Sequence, residues 1–96
     1  PVPPMPLDVY EGTYDNPVFG SVTLLASGDV LTGTMGPARV RFVFRHRDRD
    51  EFVMSVPDFD PEGGRVRFTL RNGAADSLII DDLQKDGIGA FFRKNP

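Results

Sequence analysis

Cysteine and tryptophan are absent from this 96-residue sequence, and histidine occurs only once. Without cysteine the chain forms neither a disulfide framework nor a thiolate nucleophile. One histidine and no cysteine also argue against the usual zinc sites. The sequence shows no signal-peptide pattern and no apolar run near 18 residues. We therefore expect no direct membrane insertion by this stretch.

The residue sets that catalysis needs are missing as well. Four serines accompany the single histidine, His46, and neither a Gly-x-Ser-x-Gly elbow nor a Ser-x-x-Lys motif occurs. Nucleophilic catalysis requires a base hydrogen-bonded to the nucleophile and an acid that orients this base. We expect no catalytic residues and no cofactor, and a role in binding, packing or assembly.

Residues 58–63 resemble the start of a calcium-binding loop. The twelfth position of such a loop would be Thr69, where a bidentate glutamate is needed, and Pro61 interrupts the segment. We expect a solvated hairpin loop here and no metal site.

The formal net charge of −3 is unevenly distributed along the chain. Residues 1–38 contribute −4 and contain no base, residues 39–71 contribute +2 with eight arginines, and residues 72–96 contribute −1. An acidic chain has no overall attraction for nucleic acid. Nucleic acid is therefore not an expected partner.

Apolar and polar residues alternate with a period of two. Residues 39–46 place Val40, Phe42, Phe44 and His46 on one face and three arginines on the other, and residues 65–71 repeat the pattern. Such alternation is typical of antiparallel strands with one dry face. With the turn signals between them, the apolar segments predict eight strands, over residues 9–15, 18–27, 30–35, 39–46, 51–56, 65–71, 76–80 and 88–93.

Short connections between these strands favour an all-β fold, a single small eight-stranded antiparallel meander barrel. The proline-rich opening predicts a linker tail over residues 1–6, cut from a longer protein, before a barrel over residues 7–96. Gly12 is expected to leave a notch filled by an aromatic or aliphatic side chain of the fourth to eighth strands. The inward side chains, which we expect to fill the interior, are Tyr10, Tyr14, Phe42, Phe44, Phe52, Phe68 and one of Phe91 or Phe92.

Three residues are candidates for a ligand or interface site at the mouth of the barrel: Tyr10, Tyr14 and His46. His46 continues the inward face of its strand and is the only side chain that ordinarily titrates near neutral pH. The alternative is a strand-end histidine bonded to a backbone carbonyl or to Asp48 or Asp50.

Arginines form a second candidate surface. The outward set could clamp an acidic partner or a phosphate, or it could be a solvated face whose charges neighbouring acids balance. The members of this set are Arg39, Arg41, Arg45, Arg65, Arg67 and Arg71.

The opening run of residues 10–17, Tyr-Glu-Gly-Thr-Tyr-Asp-Asn-Pro, followed by Phe19-Gly20, resembles the start of a known domain family. Its members are barrel-like, have no assigned activity, and lie C-terminal to serine β-lactamase-like (penicillin-binding-protein-like) hydrolase domains. The sequence departs from the family pattern at Arg47-Asp48, where Trp-His is frequent. Further matches follow in the family's order and cover almost the whole chain: Gly36-Pro37, His46 with Asp50 and Phe52, Phe68 with Leu70, and Phe92-Arg93.

The resemblance implies a lipocalin-like barrel from a bacterial protein, fused to a hydrolase that acts on peptides, esters or lactams. It implies a catalytic hydrolase domain as the partner in cis, and it favours a periplasmic or extracellular location. Contacts between copies of the chain are a further kind of partner to consider.

Two functions follow from these observations. In the first, the barrel is a non-catalytic accessory domain that packs on a hydrolase, makes oligomer contacts or shapes access to the hydrolase cleft. In the second, it is a small lipocalin-like barrel that holds an apolar ligand.

Overall fold

The computed structural model describes residues 1–57 and 60–94, without the side chains of residues 60–62. Each strand pairs antiparallel with the next, and β8 pairs with β1, so the sheet closes into a barrel. Within the described residues, no helix is long and apolar enough to cross a membrane. The strands are β1 (Gly12–Asn16), β2 (Gly20–Ser27), β3 (Val30–Met35), β4 (Val40–Asp48), β5 (Glu51–Val56), β6 (Asp60–Arg71), β7 (Ala74–Ile80) and β8 (Ala90–Arg93).

The predicted all-β, eight-stranded antiparallel meander barrel is confirmed, and its shape is compatible with a lipocalin-like fold. Six strand starts differ from the prediction, and the largest difference is at β6, which begins at Asp60 instead of residue 65. β1 begins at Gly12 because Leu7–Val9 form a 3₁₀ turn. β8 begins at Ala90 because two further 3₁₀ turns, Asp81–Leu83 and Lys85–Gly87, occupy the connection after β7.

The inward face is the one that the alternation predicts. Phe91 is the buried member of the final aromatic pair, whereas Phe92 is 59% exposed. Val40 was also predicted inward, but it is 42% exposed because it begins β4 at an end of the barrel. The buried apolar residues are Tyr10, Tyr14, Val22, Leu24, Leu31, Phe42, Phe44, Phe52, Val66, Phe68, Ala75, Leu78, Ile80 and Phe91.

Aromatic rings fill the centre of the barrel. Phe68 lies among four of them, with centroids 4.9 Å from Tyr10, 5.4 Å from Phe52, 6.1 Å from Tyr14 and 6.2 Å from Phe44. The pairs with Phe52, Tyr14 and Phe44 meet edge to face, an arrangement that adds stabilisation beyond area burial. The predicted filling of the interior by aromatic side chains is therefore confirmed.

Glycines leave two notches in the wall, and their occupants correct the sequence prediction. Over Gly12 lies the Arg93 guanidinium, which a Cβ at this position would overlap. The prediction of an aromatic or aliphatic occupant was wrong, because β8 pairs with β1 and brings its terminal arginine to this point. At Gly33, in contrast, an added Cβ would overlap the Thr23 carbonyl oxygen and lie 2.9 Å from Cζ of Phe42, so this glycine allows both the β2 backbone and an aromatic ring to approach closely.

The two ends of the barrel differ, and we name them by what covers them. The strapped end contains the β2–β3, β4–β5 and β6–β7 turns and the N-terminal strap, residues 1–9. The open end contains the β1–β2 and β3–β4 turns and the β7–β8 connection, and β5 ends there. This division follows from the meander, in which successive hairpins alternate between the two ends.

The strap is bonded to the β4–β5 turn. The Val2 backbone N–H donates to Oδ1 of Asp48 over 2.6 Å, and the Val2 carbonyl accepts from the Arg49 N–H over 2.7 Å. Met5 and Leu7 pack against the core. Residues 1–6 thus contact the barrel, and their role as an interdomain linker stays a prediction.

Asn16 fixes the turns at the open end. Its amide nitrogen donates to the carbonyls of Ile88 and Ala90 over 2.7 and 2.8 Å, and its oxygen accepts from the backbone N–H groups of Val18 and Phe19. The residue is buried, and these four bonds satisfy the side chain fully. Asn16 therefore joins the β1–β2 turn to the β7–β8 connection.

Candidate functional site

The three candidate residues lie at the strapped end or next to it, and Tyr10 connects the strap to the β4–β5 turn. The Tyr10 hydroxyl donates to Oδ1 of Asp50 over 2.7 Å and accepts from the Met5 backbone N–H over 3.1 Å. Its ring meets Phe52 edge to face at 5.0 Å. Tyr10 therefore closes this end through both its ring and its hydroxyl.

Tyr14 and Arg93 form a second buried polar contact below Tyr10. The Tyr14 hydroxyl donates to the Tyr10 carbonyl over 2.7 Å and accepts from Nη2 of Arg93 over 2.9 Å. Cζ of Arg93 lies 4.9 Å from the Tyr14 ring centroid, within the range of a cation–π contact. The Arg93 guanidinium also donates to the carbonyls of Val9 and Ala75. One arginine thus ties together the strap, β1 and β7.

Both tyrosines hold their protons more tightly than usual. Burial, together with the hydrogen bond to Asp50, raises the pKa of Tyr10 to about 12. Burial also raises the pKa of Tyr14 to about 12, against the opposing charge of Arg93. At neutral pH the two phenols are therefore neutral hydrogen-bonding groups and do not supply a phenolate base or nucleophile.

His46 lies beside Tyr10 but makes a different contact. Its Nε2 is 3.0 Å from the Arg49 carbonyl, and its ring meets Phe52 edge to face at 5.4 Å. A histidine with a proton on Nε2 donates to this carbonyl. The hydrogen-bonding partner of His46 is thus a backbone carbonyl at the strand end, one of the partners that the sequence analysis gave as the alternative to a ligand site.

The structure brings Tyr10 and Tyr14 together in one network and places His46 at its margin. None of the three lines the open-end cavity or the outer groove described below. In the described part of the chain no cluster of three or more His, Cys, Asp or Glu side chains could hold a metal ion. The calcium-like segment, residues 58–63, falls largely outside the described residues. A ligand or interface role for Tyr10, Tyr14 and His46 stays a prediction.

Sequence reasoning missed Arg93 as a member of this network. The chain offers one signal, a glycine in β1 two residues before Tyr14, whose register partner on β8 is Arg93. That signal can be read only when β8 is known to pair with β1. The positive φ of Gly12, +141°, adds a second reason for glycine at this position.

The open end carries a mainly apolar cavity of about 260 Å³. It lies above Phe42, and the β3–β4 turn supplies much of its wall. Its lining side chains include Phe19, Met35, Pro37, Ala38, Val40 and Met54.

Further exposed apolar side chains lie at the same end of the barrel. Val18, in the β1–β2 turn, is 60% exposed, and Ile88, in the β7–β8 connection, is 37% exposed. Val40, at the start of β4, lines the cavity and is exposed as well. We call the cavity together with Val18, Val40 and Ile88 the apolar end face. Exposed apolar side chains at the same end of a domain as an apolar cavity are candidates for a contact site.

Comparison with known proteins adds a family and one solved structure. A domain family described as "Domain of unknown function (DUF3471)" matches residues 1–93. No curated protein matches the chain. The chain is similar to the solved structure titled "Crystal structure of C-terminal domain of penicillin binding protein Rv0907", with 29% identity and a TM-score of 0.77. The match covers 97% of this chain and 89% of that one. On the family match, the chain belongs to the DUF3471 family of domains of unknown function, and it is similar to the C-terminal domain of a penicillin-binding protein.

Proposed function

We propose that this barrel is a non-catalytic accessory domain of a penicillin-binding-protein-like serine hydrolase. It docks through the apolar end face on the catalytic domain of the same polypeptide and shapes access to the catalytic cleft. The similarity to the C-terminal domain of a penicillin-binding protein, over nearly the full length of both chains, supports the accessory role.

The apolar end face is the observation that carries the docking proposal. The strapped end is covered by nine residues of the chain itself, whereas Val18, Val40 and Ile88 remain exposed at the open end. Removing apolar surface from water stabilises a complex by roughly 25 cal/mol per Å² before the costs of association. A partner that covers this face therefore gains more than one that covers the charged wall.

The geometry of the strapped end supports a non-catalytic role. His46 is bonded to a backbone carbonyl, and both tyrosines are neutral at physiological pH. Their hydroxyls are engaged in contacts that hold the strap and β8 in place. These groups act as fixed structural contacts in the proposal.

A second candidate function, binding of a small apolar ligand, has one observation in its favour. The open-end cavity is apolar, but its volume of about 260 Å³ lies below the range of roughly 300–1,000 Å³ of small-molecule sites. A ligand there would be only a few heavy atoms in size. A cavity of this volume is better suited to being covered by the surface of another protein.

The docking test compares two exposed apolar residues with matched exposure. Val18 at the open end is 60% exposed, and Phe92 on the outer wall of β8 is 59% exposed. The ¹⁵N-labelled 96-residue chain is titrated with the hydrolase domain encoded in the same polypeptide, and amide shifts are recorded. We expect shifts around residues 17–20 and 35–40. Val18→Asp should weaken binding about tenfold, and Phe92→Asp by less than about twofold.

Several outcomes would contradict the proposal. They are shifts centred on Phe92, equal losses for the two variants, and the absence of a hydrolase domain from the polypeptide. Sedimentation of the 96-residue chain alone, as the wild type and as Val18→Asp, serves as the control for contacts between copies. Self-association that Val18→Asp abolishes would assign the face to a second copy of the chain.

A further inference from the structure

A groove of about 570 Å³ crosses the outer faces of β2, β3 and β4. Two rows of side chains run across these strands, because the register aligns them. Thr23 pairs with Thr34, and Thr34 pairs with Arg41, which gives a polar row. The second row, two residues along each strand, has apolar ends and is formed by Leu25, Thr32 and Val43.

Ion pairs separate two members of the predicted arginine surface, Arg65 and Arg67, from Arg41 and its neighbours. Arg47 and Arg65 face Glu51, and Nη2 of Arg67 lies 3.0 Å from Oδ1 of Asp81. These three arginines belong to a solvated, charge-balanced face of limited energetic value. The arginines of the groove side differ from them.

Arg41, which lines the groove, has no ion pair or side-chain hydrogen bond within the described residues, and the same holds for Arg39 and Arg45 beside it. Arg41 is also the only charged side chain that lines the groove in the described part of the chain. The groove is therefore a positive site on a chain with net charge −3. A guanidinium without a carboxylate partner, next to the Thr34 hydroxyl, is suited to an incoming carboxylate.

We propose that this groove binds an extended segment of a partner polypeptide in which an acidic and an apolar residue are separated by one residue. In an extended chain such residues project from the same face, about 7 Å apart. The two rows of the groove have the same spacing, because Thr32 and Thr34 are two residues apart on β3. The acidic side chain would meet Arg41 while the apolar one contacts Leu25 and Val43.

The chemistry of the groove favours a polypeptide over nucleic acid. A single arginine neutralises little of a phosphate backbone, and among the described residues the lining offers no exposed aromatic ring on which bases could stack. Leu25 is 60% exposed, so the apolar row is available for contact. The site extends along the outer wall of β2, β3 and β4 and meets the apolar end face at Val40, which lines both.

The test uses synthetic peptides and amide shifts of the ¹⁵N-labelled 96-residue chain. The probe is a capped eight-residue peptide, rich in threonine and valine, with one leucine and one glutamate separated by a single residue. We expect shifts at Thr23, Thr34 and Arg41. One control peptide replaces the glutamate by glutamine, and the other places leucine and glutamate next to each other. Each control should bind about three- to tenfold more weakly than the probe.

Two protein variants complete the design. Arg41→Gln should weaken binding of the probe about three- to tenfold. Arg71→Gln is the matched control, because Arg71 is an exposed arginine of β6 without an ion pair in the described part of the chain. It should change binding by less than about twofold.

Equal losses for the two variants would show general charge attraction and overturn the proposal, as would equal binding of the glutamine peptide. Shifts that map outside the groove, or no shift at millimolar peptide, would also overturn it. Shifts at the groove that grow with protein concentration alone would assign the groove to a second copy. None of these results depends on the hydrolase-docking experiment, so either proposal can fail alone.

Discussion

The strapped end and the open end of the barrel differ in how the hydrophobic core is covered. At the strapped end, the N-terminal strap, Tyr10, Tyr14 and Arg93 cover the core, with hydrogen bonds that satisfy the buried hydroxyls. At the open end, Asn16 fixes the connections, but a cavity and three exposed apolar residues remain.

The difference indicates that one end of the barrel contributes to stability and the other offers a surface for contact with a partner. Satisfied buried polar groups fix one arrangement, because each would lose a partner if the end opened. Exposed apolar groups at the other end lose little in the isolated domain and gain from a partner. Substitutions should therefore destabilise the strapped end and change association at the open end.

The largest effect is expected from the aromatic cluster next to the strapped end. Phe68→Ala removes a ring that four others contact and should lower the free energy of unfolding by about 3–5 kcal/mol. Met54→Ala, at the half-buried wall of the open-end cavity, should cost about 1–2 kcal/mol, because part of its side chain already faces solvent. Urea unfolding of both variants measures the difference. Equal costs would mean that the two ends are packed alike.

A smaller effect is expected from alanine at two glycines with positive φ. Gly12, near the strapped end, has φ +141° and lies under Arg93, whereas Gly36, at the open end, has φ +72° and only ordinary contacts. Gly12→Ala should cost about 1–2 kcal/mol more than Gly36→Ala, because it also displaces the guanidinium. Thermal unfolding compares the two. If Gly36→Ala is the more damaging change, the Arg93 contact is not a stabilising one.

The smallest and most specific effect concerns alkaline pH. Tyr10 and Tyr14 have pKa values of about 12 in the folded chain, above the ordinary value of 10.0. The folded state therefore binds these protons more tightly than the unfolded state, so stability is complete below pH 10 and falls as pH rises from about 10 to about 12. Urea midpoints measured across this range should decline.

Tyr14→Phe tests the origin of this decline. Because the variant removes one of the two titrating groups, its slope of stability against pH above pH 10 should be shallower than that of the wild type. The variant also loses the bonds to Arg93 and to the Tyr10 carbonyl, so it should be less stable at neutral pH. An unchanged slope would show that other groups cause the alkaline loss.

The sequence determined the strand pattern, the barrel class and most of the inward side chains. Phe42, Phe44 and Phe68 alternate with arginines, and a shift by one residue would place every charge inside, so only one register is acceptable. Turn residues such as Asn16-Pro17 located the hairpins because their backbone preferences are local. These properties depend on neighbours along the chain and can be read from them.

The closing contacts were decided by the tertiary structure. Arg93 reaches Tyr14 and the strap because β8 pairs with β1, a contact between residues 79 positions apart. Because of the same closure, the Arg93 guanidinium lies over Gly12. The close contact of a glycine with an aromatic ring occurs instead at Gly33, against Phe42. Distances across the barrel decide which end the strap covers. They also decide which arginines form ion pairs with acidic side chains. No local pattern encodes those distances, because they arise only when the sheet closes.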